Sequence, residues 1–337
     1  MPYNDVLKVY AASLGFSGSD TMYRILETLF AKEGDIALAG AMPGTIGQLA
    51  ASIGLSPERV RADAERLRIT GAIDRKGDVY RLFPAMIELR DATVLWPHAS
   101  QELFELWERL IWGKNELSPL MTIIEKSNIP PMMRTVPIER SIKTKNAVLD
   151  IDSARKIFED AELVSAMPCA CRTQARMNGR GVDCPAPADV LLCLQTNAFA
   201  DAFLGRGLGE QISNDEALRR IGLAEDAGLV HMARNNVKKD MIMCNCCSCC
   251  CTGFHFLNTM QYADAFAPSR FRVKLDPHAC SGCGICEEKC QFQAITVDNL
   301  AHIREDRCYG CGNCVVACPE EALTLEEVRP REHIRIT

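Results

Sequence analysis

The sequence predicts a multidomain α+β protein: a helical N-terminal domain with a β-hairpin, a mainly helical, cysteine-rich middle domain and a small duplicated C-terminal domain. Three observations predict this. Residues 1–85 carry a helix, turn, helix and hairpin pattern, residues 166–252 hold ten cysteines, and a four-cysteine spacing occurs twice near the C-terminus. A length of 337 residues suits several domains, each with its own core.

The N-terminal pattern is read from capping and turn residues. A short helix begins near Thr45 and ends at Gly54, and a second helix opens at Ser56 and ends at Gly71. Residues 72–82 fit two short strands around the glycine turn in "RKGD". This order resembles a winged helix-turn-helix domain over residues 1–85.

Candidate DNA contacts are Arg59 and Arg61 on the second helix and Arg75 at the tip of the hairpin. Residues 45–82 carry seven basic and five acidic side chains, and the whole chain has a net charge of −6. The patch is therefore weakly basic, and winged helices also dock proteins. Nucleic acid is the less favoured partner, and a protein the more favoured one.

The middle of the chain divides into two predicted regions. Residues 86–165 form a helical connector containing all three tryptophans. Its segment "SQELFELWERLIWG" has a helix face typical of a core, formed by Leu103, Leu106, Trp107, Leu110 and Ile111. Residues 166–265 form the cysteine-rich module, in which Ser213 caps a helix that stops at Gly228 before a strand over residues 229–232. A duplicated domain over residues 270–327 and a tail at residues 328–337 complete the chain.

The C-terminal repeat consists of two C-x2-C-x2-C-x3-C motifs, the second starting 28 residues after the first (positions 280 and 308). The motif cysteines are Cys280, Cys283, Cys286 and Cys290, then Cys308, Cys311, Cys314 and Cys318. After each motif follows a similar apolar segment, "AITV" at residues 294–297 and "ALTL" at residues 322–325. The repeat therefore indicates a duplicated unit.

This repeat resembles the bacterial two-cluster ferredoxin, which implies two [4Fe–4S] clusters with crossed ligands. One cluster would take Cys280, Cys283, Cys286 and Cys318, and the other Cys308, Cys311, Cys314 and Cys290. Gln291 departs from the family, which has proline after the fourth cysteine of the motif. Zinc at some of these thiols is the alternative, but zinc ligands usually come in pairs.

Ten further cysteines precede this domain. Nine are candidate ligands: Cys169, Cys171, Cys184, Cys193, Cys244, Cys246, Cys247, Cys249 and Cys250. Residues 136–325 also resemble anaerobe iron–sulfur proteins described as ferredoxin-like, which implies an additional iron–sulfur module. At four thiols per cluster, we expect one or two further [4Fe–4S] clusters and at least two spare thiols. Alternatives are a free buried Cys193 and, for the whole set, disulfides or core packing, which a reducing cytosol disfavours.

Strand geometry guides the finer expectations for this module. Cys169 and Cys171 would face one cluster if their segment is extended, because alternate residues share one side of a strand. Adjacent cysteines point to opposite sides. The pairs Cys246–Cys247 and Cys249–Cys250 are therefore expected to serve two clusters, or one cluster and the core.

The sequence predicts a multi-cluster electron-transfer protein or redox subunit that passes low-potential single electrons to or from a partner oxidoreductase. The alternatives are a redox-sensing DNA-binding regulator and an enzyme with an open-site cluster in the middle module. No secretion signal, bilayer-spanning run or nucleotide-binding motif is evident, so we expect a cytoplasmic location. Residues 276–325 carry eight acidic and three basic side chains, which favours a basic partner surface.

Overall fold

The computed structural model describes residues 4–113, 116–117, 120–121, 130–142, 152–238 and 240–335. Parts of the predicted helical connector, including residues 122–129 and 143–151, lie outside these ranges. The chain forms two compact units. The first unit spans residues 1–129 and 170–180, and the second spans 130–169 and 181–337. The five-part domain division stays a prediction.

The described part of the first unit is helical, with one β-hairpin. Its helices are α1 (Asp5–Ser13), α2 (Asp20–Leu29), α3 (Asp35–Ala41), α4 (Ile46–Ile53), α5 (Pro57–Thr70), α6 (Met86–Val94), α7 (Gln101–Trp112) and α9 (Ala170–Met177), and its strands are β1 (Asp74–Lys76) and β2 (Val79–Arg81). Trp107 on α7 is fully buried and donates its indole N–H to Thr93 Oγ1 at 3.0 Å. The predicted aromatic face is therefore part of the core.

The helix, turn, helix and hairpin elements lie where the sequence predicts them. Thr45 and Gln48 form a reciprocal capping box at the start of α4, and Gly54 adopts a left-handed conformation at its end. Ser56 caps α5, and a left-handed Gly71 ends it. These local elements are confirmed, whereas their assignment to a winged helix stays a prediction.

The second unit is organised around a six-stranded antiparallel sheet. Its strands are β3 (Met133–Val136), β4 (Val164–Met167), β5 (Cys193–Thr196), β6 (Glu210–Ile212), β7 (Val230–Arg234) and β8 (Ile242–Cys246), in the spatial order β3, β7, β8, β5, β4, β6. The helices α8 (Ala154–Glu159), α10 (Asn197–Leu204) and α11 (Asn214–Asp226) connect these strands. The prediction of a mainly helical middle domain missed this sheet, which holds the region together.

The sheet core fixes the direction of the cysteines on β8. Met243 and Leu194 are fully buried in a core that also contains Phe158 of α8. Because successive side chains on a strand alternate, Cys244 and Cys246 point to the face opposite Met243. Ser213 caps α11 by accepting a hydrogen bond from the Glu216 N–H at 3.1 Å, as predicted.

The C-terminal part of the second unit contains two similar halves. Its elements are β9 (Phe271–Leu275), α13 (Ile285–Glu288), β10 (Ile295–Val297), β11 (Ala301–Ile303), α14 (Asn313–Ala317) and β12 (Leu323–Glu327). Strand β9 pairs antiparallel with β12, and β10 with β11. The two repeated apolar segments supply β10 and β12, so each half contributes a cysteine loop, a short helix and a strand.

Hydrogen bonds and aromatic rings join these halves to the rest of the second unit. The Ile138 N–H donates to the Cys311 carbonyl at 2.9 Å. Phe292 stacks on Tyr309 with ring centroids 4.5 Å apart, and Phe254 of α12 (Thr252–Phe254) lies 4.9 Å from Phe292. The cysteine loops are therefore anchored to the segment that follows Cys251.

Loss of one buried ion pair is expected to lower the stability of the protein strongly. Arg270 Nε donates to Asp152 Oδ2 at 3.1 Å, and both side chains are at most 3% exposed. Asp152 also faces Arg134, whose pKa burial lowers to about 10. Asp152→Asn should therefore lower the free energy of unfolding by about 3 kcal/mol, because the buried guanidinium groups lose their buried carboxylate and Arg270 keeps only its pair with the part-exposed Glu327. Anaerobic guanidinium chloride unfolding of the full chain measures this.

Asp226→Asn is the control for this prediction. Asp226 pairs with Arg140 at 3.2 Å but is 71% exposed, so its loss should change the same free energy by less than about 1 kcal/mol. Equal effects of the two substitutions would show that the buried pair contributes no more than a surface one.

Candidate metal centres

Four C-terminal cysteines line one cavity. Cys280, Cys283 and Cys286 come from the first motif, and Cys318 is the last cysteine of the second. The thiol of Cys283 is exposed, whereas that of Cys286 is buried. Burial raises the pKa of Cys286, and the neighbouring Cys280 and Cys283 raise it further. The fold thus gathers four thiols from both halves of the repeat at one opening.

The other four C-terminal cysteines form a more enclosed group. Burial raises the pKa of Cys311 to about 12, and the electrostatic effect of Cys290 and Cys308 raises it further. The pKa of Cys314 is well above its usual value, again through burial and through Cys311, Cys290 and Cys308. Cys290, the last cysteine of the first motif, therefore lies among the cysteines of the second.

Glycines let the cysteine loops approach the neighbouring backbone. Gly282 has φ +69°, and a Cβ there would collide with the Asn299 carbonyl. Gly310, at the equivalent position of the second loop, has φ +64°, and a Cβ would collide with the Phe271 carbonyl. The Ala294 N–H donates to Cys290 Sγ at 3.2 Å, the kind of contact that tunes a cluster potential.

These two groups fit the iron–sulfur clusters implied by the resemblance. Each offers four thiols, the donor type that holds [4Fe–4S] clusters. The sulfur atoms are also widely spaced: among the described residues, which include all eight cysteines, no three of these thiols lie within 4.8 Å of one another. Such spacing suits thiolates that each bind a different iron.

A tighter group lies at the cysteine run of the middle region. The Sγ atoms of Cys184, Cys247, Cys249 and Cys250 all lie within 4.8 Å of one another. Hydrogen bonds from the other three thiols, that of Cys247 above all, hold the pKa of Cys184 well below its usual range. Cys250, as a donor in the same set, has its pKa raised. The four thiols therefore form one hydrogen-bonded group.

The arrangement of Cys249 and Cys250 differs from the sequence expectation. An extended chain would point them to opposite sides, but residues 248–250 form a turn and the two Sγ atoms lie 3.6 Å apart. The Cys251 N–H closes this turn by donating to the Cys247 carbonyl at 3.1 Å. Cys246 and Cys247 do separate, since Cys247 joins the tight group and Cys246 does not, and their roles as ligands stay a prediction.

A second thiol group surrounds Cys246. Its pKa is raised by contact with Cys244, then by Cys251 and by complete burial. Cys193 Sγ lies 4.0 Å from Cys244 Sγ and accepts from Gln195 Nε2 at 3.2 Å. Sequence reasoning left out Cys251, the last residue of the run. The alternation of Cys244 and Cys246 on β8 was the signal for one shared face.

Cys169 and Cys171 do not lie on one extended segment. Cys171 belongs to α9 of the first unit, whereas Cys169 belongs to the second unit after β4. The condition of an extended segment is therefore not met, because the chain turns into a helix at Ala170, and the role of both cysteines as ligands stays a prediction. Arg90, a fully buried cation that the sequence did not indicate, donates to Cys171 Sγ at 3.3 Å.

Gln291 connects the C-terminal domain to the cysteine run. Its Oε1 accepts from the Ser248 N–H at 2.8 Å, within the turn that presents Cys247, Cys249 and Cys250. Its Nε2 donates to the Gly228 carbonyl at 3.4 Å. Proline at this position could make neither contact, so the departure from the ferredoxin pattern has a structural reason.

The candidate DNA contacts face carboxylates. Arg59 donates to Asp63 at 2.6 Å, and Arg75 pairs with Glu65 at 3.3 Å. Arg61 lies exposed on α5. Two of the three arginines are thus partly neutralised within the first unit, which weakens the case for phosphate binding.

Comparison with known proteins gives one match. Residues 279–323 match the family model of a 4Fe-4S dicluster domain. No curated protein and no solved structure matches the chain. The match includes all eight C-terminal cysteines and, with the thiol groups, indicates iron–sulfur electron transfer. Within the described ranges, no helix has the length and apolar character needed to cross a bilayer.

The Gln291 contact can be tested by amide exchange. Gln291→Ala removes the acceptor of the Ser248 N–H, so this amide should exchange about fivefold faster, as expected for a hydrogen bond worth about 1 kcal/mol. Gln291→Glu keeps an acceptor oxygen and should leave the exchange rate close to that of the unchanged protein. Hydrogen exchange with mass spectrometry of the peptide over residues 244–251 measures both. Equal exchange in all three proteins would contradict the assignment.

Proposed function

We propose that this chain is an iron–sulfur electron-transfer protein whose C-terminal domain holds two [4Fe–4S] clusters with crossed ligands. Cys280, Cys283, Cys286 and Cys318 would hold one cluster, and Cys308, Cys311, Cys314 and Cys290 the other. The observation that carries this proposal is the cavity that Cys318 shares with the first three cysteines. When bound, such clusters take up and release one electron at a time.

The two thiol sets differ in their access to solvent. Cys283 is exposed, whereas Cys308 and Cys314 are at most 8% exposed. Because electron transfer requires close approach of the partner, the set containing Cys283 is the side at which electrons enter or leave. The enclosed set would pass them to and from the interior of the unit.

We propose one further [4Fe–4S] cluster in the middle region, held by Cys193, Cys244, Cys246 and Cys251. These thiols contact one another in pairs, yet no three of them lie within 4.8 Å of one another among the described residues. As a set they are less compact than the tight group at Cys184, in which all four sulfur atoms are mutually within 4.8 Å. Of the one or two middle clusters that the sequence predicts, we therefore propose one.

The chemistry of these sets favours electron transfer over catalysis or DNA binding. Each proposed set supplies four thiolates, which occupy all four irons of a cluster and leave none open to a substrate. Arg59 and Arg75 are already paired with carboxylates. The proposed role is therefore that of a carrier or electron-transfer subunit.

The proposed partner presents a basic surface. Glu287, Glu288, Glu320 and Glu321 are exposed beside the first thiol set, and Glu320 itself lines the cavity. These carboxylates would draw a basic surface toward the exposed Cys283. An oxidoreductase that exchanges single electrons with this chain would dock there.

Iron content in paired variants tests the crossed ligands. We expect Cys318→Ala combined with Cys280→Ala to lose about four irons, since both residues serve one cluster. Cys318→Ala combined with Cys308→Ala should lose about eight irons, because these residues serve different clusters. Anaerobic iron and acid-labile sulfide analysis with EPR-monitored titration measures both. The reverse pattern would show uncrossed ligands, and an unchanged iron content would refute the cluster assignment.

The docking surface predicts a salt-dependent rate. Electron transfer from the reduced protein to a basic c-type cytochrome should slow by about tenfold or more as ionic strength rises, because screening weakens attraction between exposed charges. Stopped-flow absorbance measures the rate. An uncharged small-molecule acceptor is the control and should react at a rate that salt does not change. A cytochrome rate independent of salt would rule out the acidic docking surface.

A further inference from the structure

The four thiols of the tight group lie on two segments far apart in the sequence. Cys184 Sγ is 3.5 Å from Cys247 Sγ, and Cys249 Sγ is 3.6 Å from Cys250 Sγ. All four sulfur atoms are mutually within 4.8 Å, and all four residues belong to the second unit. Cys247 and Cys250 are 1% exposed. The fold thus concentrates four thiols in one partly buried spot.

Two turns produce this arrangement. The Cys184 N–H donates to the Gly181 carbonyl at 3.2 Å, so Cys184 ends a tight turn. The turn from Cys247 to Cys251 brings Cys249 and Cys250 to the same side, and Gln291 holds its middle at Ser248. Both turns are fixed by hydrogen bonds that do not involve the thiols.

The spacing decides how many metal ions the group can hold. Four thiolates that share one tetrahedral ion, each with a metal–sulfur bond of about 2.3 Å, have their sulfur atoms about 3.8 Å apart. Four thiolates of a cubane bind four different irons at its corners, so their sulfur atoms lie much further apart. The observed separations match the first case.

We propose that Cys184, Cys247, Cys249 and Cys250 bind a single tetrahedral metal ion, zinc or iron, and not an iron–sulfur cluster. Both metals prefer sets of four thiolates, and the spacing is common to them. With four protein ligands, the ion has no open position for a substrate. The ion connects the loop that contains Cys184 to the cysteine run.

The C-terminal cysteines of the same unit allow the sulfur spacing of the tight group to be compared with that of a second set of thiols. The thiols of the C-terminal domain, in the region matched to a 4Fe-4S dicluster domain, include no three within 4.8 Å of one another among the described residues. Among the described residues, only the group at Cys184 brings three or more thiols mutually within 4.8 Å, whereas Cys193 and Cys244 approach to 4.0 Å as a pair. Disulfides are the main rival, but separations of 3.5 and 3.6 Å are much longer than an S–S bond of about 2.05 Å.

Metal analysis of the anaerobically purified full chain tests this proposal. Cys184→Ser should lose one equivalent of zinc or iron per chain, with no loss of acid-labile sulfide. Ser248→Ala is the matched control, because it alters a side chain of the same turn without removing a thiol and should leave that equivalent in place. Loss of about four irons and four sulfides in Cys184→Ser would overturn the proposal in favour of a cubane.

Spectroscopy of the unaltered protein keeps the proposal testable if the variants fail to fold. For zinc, X-ray absorption at the zinc edge should show four sulfur neighbours at about 2.3 Å and no metal neighbour. For iron, the oxidised protein should show the EPR signal of an isolated high-spin ferric ion. A protein with neither signature, or with disulfides among these cysteines by mass spectrometry, would overturn the proposal. The C-terminal clusters are counted separately by sulfide, so their loss does not decide this test.

Discussion

The burial of thiols is the constraint on which the second unit depends. Desolvation raises the pKa of Cys311 to about 12 and that of Cys314 well above its usual value. A thiolate in such surroundings needs a nearby positive charge, and residues 276–325 carry only three basic side chains against eight acidic ones. Bound metal would meet this need directly. With the proposed clusters in place, folding of the C-terminal domain and metal binding would be coupled, as in small metal-binding domains generally.

The second unit contains thiol groups with different sulfur spacings, and we propose different roles for them: electron transfer for the cluster sets and structural support for the tight group at Cys184. The widely spaced sets suit clusters, whereas the tight set at Cys184 suits one ion. Gln291 bridges them, because it follows Cys290 directly and accepts a hydrogen bond from Ser248. A change in the turn that carries Cys249 and Cys250 would therefore disturb the hydrogen bond to Gln291. Through Gln291 it would affect the loop that holds Cys290 in the enclosed thiol set.

Short-range signals in the sequence predicted much of the fold. The caps at Ser56 and Ser213 and the stop at Gly71 depend on local hydrogen bonds, so sequence reasoning could place them. The six-stranded sheet was missed because its strands have three to five residues, too few to show a clear alternation. The pairing of Cys184 with Cys247 could not be predicted either, since it depends on long-range folding. Cys249 and Cys250 were misread because a turn replaces the assumed strand.

The separation of Cys184 from Cys247 has a consequence for biosynthesis. The ribosome delivers Cys184 63 residues before Cys247. During that interval Cys184 is a thiol without its partners, open to oxidation or to capture of a wrong ion. The cavity that Cys318 completes presents a similar delay. On the proposed assignments, metal insertion at each site would follow synthesis of its last cysteine, and the earlier thiols would have to be kept reduced until then.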